Sequence, residues 1–213
     1  MPSETQSALR SGGVKYLQIP PFTVGPLYDS ASGDNPVKVG QFVSNTENYF
    51  GLVQFQCNQN RFATISAATL HLKFSGSYSS AYQPTVVAVA ADNQGWPATP
   101  DDALNLRLHT TSSNTPVPNP AIGLNSIDVK DIVQEIVNRT GWVPGNHLMF
   151  WITWTPTGNG GSFATDNNTT NGPWLDISGT GGDGGSGGGI GPGGQSGTNA
   201  SILLLLADDE EGI

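Results

Sequence analysis

The amino-acid sequence predicts an all-β protein: an antiparallel β-sandwich with one short helix, an extended N-terminal arm and a Gly-rich segment before a last strand. The 213 residues include 28 glycines and 15 prolines but only 12% charged residues, a balance that suits strands and turns better than helices. Short runs with alternating apolar and polar residues recur between turn residues. Only one stretch has its apolar residues at helical spacing.

Residues 1–36 are predicted to form the extended N-terminal arm, with an edge strand near Val14–Ile19. Proline cannot donate a backbone hydrogen bond, so a proline-rich stretch is excluded from the centre of a sheet. The prolines concerned are Pro20, Pro21, Pro26 and Pro36. Arms of this kind commonly dock on neighbouring subunits.

The sandwich itself is predicted to span residues 37–178 and to begin with alternating runs at residues 37–43, 49–57 and 65–76. In the third run one face carries Leu70, Leu72 and Phe74, and the other carries Thr69, His71 and Lys73. This pattern predicts a half-buried antiparallel strand. Residues 84–93 are apolar on both faces and predict an interior strand.

Residues 93–124 are predicted mainly as long loops, with residues 101–110 as the only candidate for a strand or a helical turn. One helix follows, with Asp128 predicted to cap its first turn and Gly141 to end it. Its apolar stripe consists of Val129, Ile132, Val133, Ile136 and Val137. Two more strands are predicted, at 147–155, where Leu148, Phe150, Ile152 and Trp154 share a face, and at 173–178.

Residues 179–200 contain 12 glycines and are predicted to be a loop or tether that cannot contribute to a core. As a flexible coil this segment would span about 25 Å. Residues 201–213 are predicted to form a C-terminal strand and an acidic tail. The strand would add to an open sheet edge, either of its own domain or of a neighbour. The predicted assembly residues are Ile202, Leu203, Leu204, Leu205 and Leu206.

The charge balance excludes two classes of partner. Eight Lys and Arg residues against 17 Asp and Glu residues give a net charge of −9, which repels nucleic acids and anionic membranes. No stretch has the length of about 20 apolar residues that a membrane helix needs. The first residues lack the apolar core of a signal peptide, which favours synthesis in the cytoplasm. The virion is the predicted location, with an extracellular location as the alternative.

No catalytic or metal site is predicted. Cys57 lies in an alternating run and is expected to be a buried core thiol. Among His71, His109 and His147 no two have ligand spacing. The acidic residues of the predicted helix are explained by helix capping and the helix dipole. No cofactor is predicted, except that a calcium ion has candidate loop ligands in Asp92, Asp101 and Asp166.

Residues 39–74, 126–152 and 173–178 resemble the disaggregatase-related, carbohydrate-binding-module-like β-sandwich of extracellular bacterial proteins and phage tail proteins. The segment IVQEIVNRTGWVPGN, residues 132–146, is the most specific part of the resemblance. The resemblance implies a jelly-roll-like sandwich in which the helix and its Gly-Trp turn are structural. It also implies that some members bind sugar polymers and that the pattern supplies no catalysis.

Aromatic side chains are the candidate ligand contacts, because a flat apolar ring can stack on a sugar. Among the tryptophans, Trp142 and Trp154 are expected in the core, while Trp174 is a further flat surface. The predicted sugar contacts are Trp96, Trp151, Tyr78 and Tyr82.

Two functions follow from these observations. The first is a non-enzymatic structural component of a phage particle, a minor tail or head-decoration protein. It would assemble as a homo-oligomer or with other virion proteins, and could also adhere to the host surface. The second is an extracellular carbohydrate-binding module that contacts a surface polysaccharide. A polysaccharide-degrading enzyme is disfavoured because no catalytic signature is present.

Overall fold

The computed structural model describes residues 3–17, 24–29, 37–42, 47–75, 84–106, 110, 115–116, 122–154, 161–163 and 171–182, and these show an all-β antiparallel sandwich with two short helices. The jelly-roll form of the sandwich stays a prediction. The strands are β1 (Ser3–Ser7), β2 (Arg10–Leu17), β3 (Val24–Asp29), β4 (Val37–Phe42), β5 (Glu47–Gln56), β6 (Thr64–Ser75), β7 (Pro84–Ala88), β8 (Thr115–Pro116), β9 (Gly123–Asp128), β10 (His147–Trp154), β11 (Gly161–Phe163) and β12 (Trp174–Thr180). The helices are α1 (Pro100–Asn105) and α2 (Lys130–Val137).

The strands form two sheets that share one strand. Sheet I has the order β1-β12-β6-β9, and β11 pairs with the far end of β6. Sheet II has the order β3-β2-β5-β10-β7-β8. Strand β4 pairs with β11 through one half and with β5 through the other, so it links the sheets.

The main core lies between the two sheets and under α2. The alternation predicted for β6 and β10 is confirmed. Leu70, Leu72 and Phe74 of β6 are buried in this core, as are Leu148, Phe150 and Ile152 of β10. Cys57 is fully buried in this core, which confirms the predicted core thiol. Of Trp154 the structure describes the backbone in β10 but not the side chain, so its expected core position stays a prediction.

The predicted helix is confirmed, with a small difference at its start. Ile132, Val133, Ile136 and Val137 are buried, and the helix ends at Val137, before Gly141. Val129 is the N-cap residue and makes no side-chain cap. The Asp128 carboxylate instead accepts a hydrogen bond of 2.9 Å from the Lys130 backbone N–H, which satisfies one free donor of the first turn.

A second apolar cluster covers the other side of sheet II, and the sequence analysis does not predict it. It consists of Leu52, Val87, Val89, Ala103, Met149 and Trp151. The residues of β7 alternate between this cluster and the main core, which confirms the predicted interior strand. Helix α1 contributes Ala103, so residues 101–105 take the helical of the two alternatives predicted for 101–110, and the described residues hold two short helices where one is predicted. Its signal is a capping box, in which Thr99 and Asp102 exchange hydrogen bonds, with Pro100 in the first turn.

The N-terminal residues pair with strands of their own chain. The edge strand predicted near Val14–Ile19 is instead the inner strand β2, which lies between β3 and β5. Pro26 is on β3, an outer strand within the described residues, where its missing N–H breaks no inner ladder. The Glu4 carboxylate anchors β1 by accepting from the Asn58 backbone N–H and from the Gln59 amide.

Neither helix in the described part of the chain is long and apolar enough to cross a membrane.

Candidate functional site

The outer face of sheet I carries polar side chains in register across four strands. On β12 the apolar residues Leu175 and Ile177 are buried, so Trp174 and Asp176 alternate with them on the outer face. The pairing places these residues in two adjacent rows. One row is Ser7, Trp174, His71 and Ser126, and the next is Thr5, Asp176, Thr69 and Asp128.

His71 lies at the centre of this face and both of its ring nitrogens are engaged. Nε2 is 3.0 Å from the Asp176 carboxylate, and Nδ1 is 3.0 Å from the Ser126 hydroxyl. An ionised carboxylate only accepts, so we assign the proton to Nε2 in the neutral ring. The Ser126 hydroxyl then donates to Nδ1. The His71 side chain is only 14% exposed, whereas that of Asp176 is 45% exposed.

The hydrogen-bonded chain continues to the edge of the sheet. The Thr5 hydroxyl donates to the second Asp176 oxygen at 2.6 Å. Thr5, Asp176, His71 and Ser126 come from β1, β12, β6 and β9, so each strand contributes one member. This series of hydrogen bonds therefore ties the His71 ring to all four strands of sheet I.

The indole of Trp174 stacks on the His71 ring. The ring centroids are 4.4 Å apart and the ring planes differ by 9°. On the other side Trp174 lies opposite Ser7, whose side chain is too small to cover an indole ring. Trp174 is half-buried, so the site presents an aromatic ring, stacked on His71, beside hydroxyl and carboxylate groups.

A serine, a histidine and an aspartate in one hydrogen-bonded chain are also the components of an acyl-transfer site. Such a site must stabilise a developing oxyanion next to the serine. The exposed carboxylate of Asp128 is two residues from Ser126 on the same strand face, and its negative charge opposes an oxyanion there. The arrangement is therefore better suited to hydrogen bonding and stacking than to acyl transfer.

Two of the predicted sugar contacts, Trp151 and Trp96, lie close together. They lie at the second apolar cluster on sheet II and not on the outer face of sheet I. Trp151 is 3% exposed and packs in the second apolar cluster, with its ring 5.2 Å from that of Phe50. Because its ring is covered, Trp151 is not an exposed platform. Trp96 packs on the same cluster, and the Arg10 guanidinium lies 5.0 Å from the centre of its ring.

The remaining predicted contacts lie outside the described residues. They are Tyr78, Tyr82, Ile202, Leu203, Leu204, Leu205 and Leu206. The expected core position of Trp142 is confirmed, since it is 1% exposed and its indole N–H donates to the Gln59 carbonyl.

The sequence offers Trp174 as a further flat surface, but it does not single out His71, Asp176 or Ser126 as residues of a site. Its usable signal is that His71 and Trp174 both stand at outward positions of alternating runs. Nothing in the sequence says that these runs are neighbours in this register.

Candidate calcium ligands are not assembled in the described part of the chain, where no three His, Cys, Asp or Glu side chains form a group suited to a metal ion. The Asp92 carboxylate is 2.6 Å from the Arg139 guanidinium. Asp101 is in the first turn of α1, and Asp166 is outside the described residues.

No protein-family model matches the chain, and a search of curated proteins finds no significant match. The resemblance to the disaggregatase-related sandwich therefore stays a prediction.

Proposed function

We propose that the protein is a non-enzymatic binding module that holds a neutral polysaccharide on the outer face of sheet I. The observation that carries the proposal is the Trp174 indole, stacked on His71 and set beside polar side chains in register. A sugar ring offers apolar C–H groups on its face and hydroxyls on its rim. An aromatic ring next to hydrogen-bonding groups matches both.

The charge on the outer face of sheet I favours the binding of uncharged polysaccharides. The outward residues include two carboxylates, Asp128 and Asp176, and one ammonium group, Lys73, whose nitrogen donates to the Asn171 side chain, in a protein of net charge −9. Carboxylates accept hydrogen bonds from sugar hydroxyls, but they repel uronic acids and sulfated sugars. The chemistry of the partner is therefore that of an uncharged polysaccharide.

Replacing Trp174 with alanine is expected to weaken polysaccharide binding at least about tenfold, a loss of roughly 1.4 kcal/mol. Affinity electrophoresis in gels with hydroxyethylcellulose, xylan or galactomannan measures the retardation, and an alginate gel provides the anionic comparison. Phe62→Ala is the matched control, because Phe62 is 45% exposed on the loop between β5 and β6, away from this face. Equal retardation of Trp174→Ala and wild type would contradict the proposed site. The proposal also fails if none of the neutral gels retards the wild-type protein.

The non-enzymatic part of the proposal has its own check. Hydrolysis of p-nitrophenyl acetate by the wild-type protein, with loss of that activity in Ser126→Ala, would show that Ser126 is catalytic and would contradict the non-enzymatic proposal. We expect the two proteins to give the same background rate.

We further propose that the module works as a structural component of a phage particle, as a minor tail or head-decoration protein. The virion is then its location, with an extracellular location as the alternative. The specific support is in the sequence, where the apolar residues 202–206 follow a glycine-rich spacer and precede an acidic end. Partners are further copies of the chain or other virion proteins, and binding of a surface polysaccharide then serves host adhesion.

Deletion of residues 201–213 is expected to convert an oligomer into a monomer without changing polysaccharide binding. The reason is that a strand added to a neighbour's sheet edge supplies backbone hydrogen bonds that no other segment replaces. Light scattering and native mass spectrometry report the oligomeric state. An unchanged oligomer in the deletion variant, or a monomeric wild-type protein, would exclude assembly through this segment.

A further inference from the structure

We infer that His71 is a positioning residue that holds the Trp174 indole in the orientation needed to stack on a sugar ring. The inference rests on the proposed function and deepens it, because it assigns the order of the binding site to one side chain. His71 is not required to touch the polysaccharide.

The His71 and Trp174 side chains are in direct contact. His71 and Trp174 are directly opposite each other on β6 and β12, where neighbouring side chains are close enough to interact. Their rings are nearly parallel, with centroids 4.4 Å apart. One face of the indole is thus covered by the imidazole, and the ring is restricted to a plane set by His71.

The His71 ring is held against rotation. A rotation of its ring breaks the hydrogen bonds to Asp176 and Ser126, both of 3.0 Å. The ring is also largely buried, with 14% of the side chain exposed. Asp176 is in turn held by Thr5. The rigid support under the indole is therefore built from four strands.

The support of Trp174 by His71 has a consequence for the affinity of the site. Immobilising a side chain at an interface opposes binding, and a ring that is already ordered avoids this cost. Loss of His71 therefore weakens binding by making the Trp174 ring mobile. In a protein that already lacks the indole, loss of His71 has no further effect.

The mobility of Trp174 can be measured without any ligand. ¹⁵N relaxation of the Trp174 indole N–H is expected to give an order parameter of about 0.85 in the wild type and below about 0.6 in His71→Ala. The Trp142 indole, buried and bonded to Gln59, is the internal control and should not change. His71→Phe retains a stacked ring without its hydrogen bonds and should fall in between. An unchanged Trp174 order parameter in His71→Ala overturns the inference.

A double-mutant cycle in the neutral polysaccharide gels tests the consequence. His71→Ala alone is expected to weaken binding about three- to tenfold. In the Trp174→Ala background the same change should have no effect, because the two residues act as one unit. Equal weakening in both backgrounds overturns the inference by showing that His71 contacts the sugar directly. If no gel retards the wild type, the proposed function fails, and the order parameter alone decides whether His71 positions Trp174.

Discussion

Replacing Trp142 with alanine is expected to lower the free energy of unfolding by about 3–5 kcal/mol. Trp142 is 1% exposed and is among the largest fully buried side chains of the described chain. Its removal leaves a cavity under α2 and deprives the buried Gln59 carbonyl of the indole N–H, 2.9 Å away. Both losses fall on the junction between α2 and the loop that links β5 to β6.

Chemical denaturation followed by far-UV circular dichroism measures this effect, since the signal does not depend on the deleted indole. Val143→Ala is the control, because this neighbour is 46% exposed and should change stability by less than about 0.5 kcal/mol. Trp142→Phe retains a ring and gives a measurable value if the alanine variant does not fold. A loss below about 1 kcal/mol in Trp142→Ala would show that the tryptophan does not support the core.

Native Cys57 is expected to react with iodoacetamide at least about a thousandfold more slowly than an exposed thiol near pH 8. Burial raises the pKa of the Cys57 thiol from 9.0 to about 12, and the nearby Glu4 carboxylate adds to this. The reactive thiolate is therefore nearly absent at neutral pH. Mass spectrometry of the alkylated peptide, with and without denaturant, measures the ratio. Rapid alkylation of the folded protein would contradict the burial of this thiol.

The same pKa shift predicts how stability changes at high pH. Between pH 9.0 and about pH 12 the thiol ionises in the unfolded chain but stays protonated in the folded one. The unfolded state then binds fewer protons, so the free energy of unfolding falls by about 1.4 kcal/mol for each pH unit. Stability from this group is fully present below pH 9.0 and is lost as the pH approaches about 12. The Cys57→Ala variant should lack this loss of stability between pH 9.0 and about pH 12. Chemical denaturation at several pH values measures it. If the free energy of unfolding fell equally steeply with pH in the variant and in the wild type, the prediction would be contradicted.

Local periodicity was sufficient to predict the interior of the sandwich. The alternation of Leu70, Leu72 and Phe74 and the stripe of Ile132, Val133 and Ile136 each correspond to a buried face. Such faces can be predicted because the repeat of a strand or a helix is a property of the local backbone.

The error on Trp151 has a definite physical cause, which is that sheet II is covered on both sides. Trp151 alternates with Phe150 and so was predicted to lie on an open face. Helix α1 and the residues before it close that face and bury Trp151, while Phe150 lies in the main core on the opposite side of the sheet. A period of two shows that two faces exist, but it does not show what packs on each of them.

The sequence by itself determined which residues of the main alternating runs share a face, and that His71 stands opposite the core residues of its strand. The tertiary structure alone decided that these two residues stack, and that Thr5 reaches Asp176 across 171 residues of chain. The reason is that side-chain direction follows from the local backbone. Strand partners and their register are instead set by burial of the whole core, and a slip of one residue would turn every outward side chain inward.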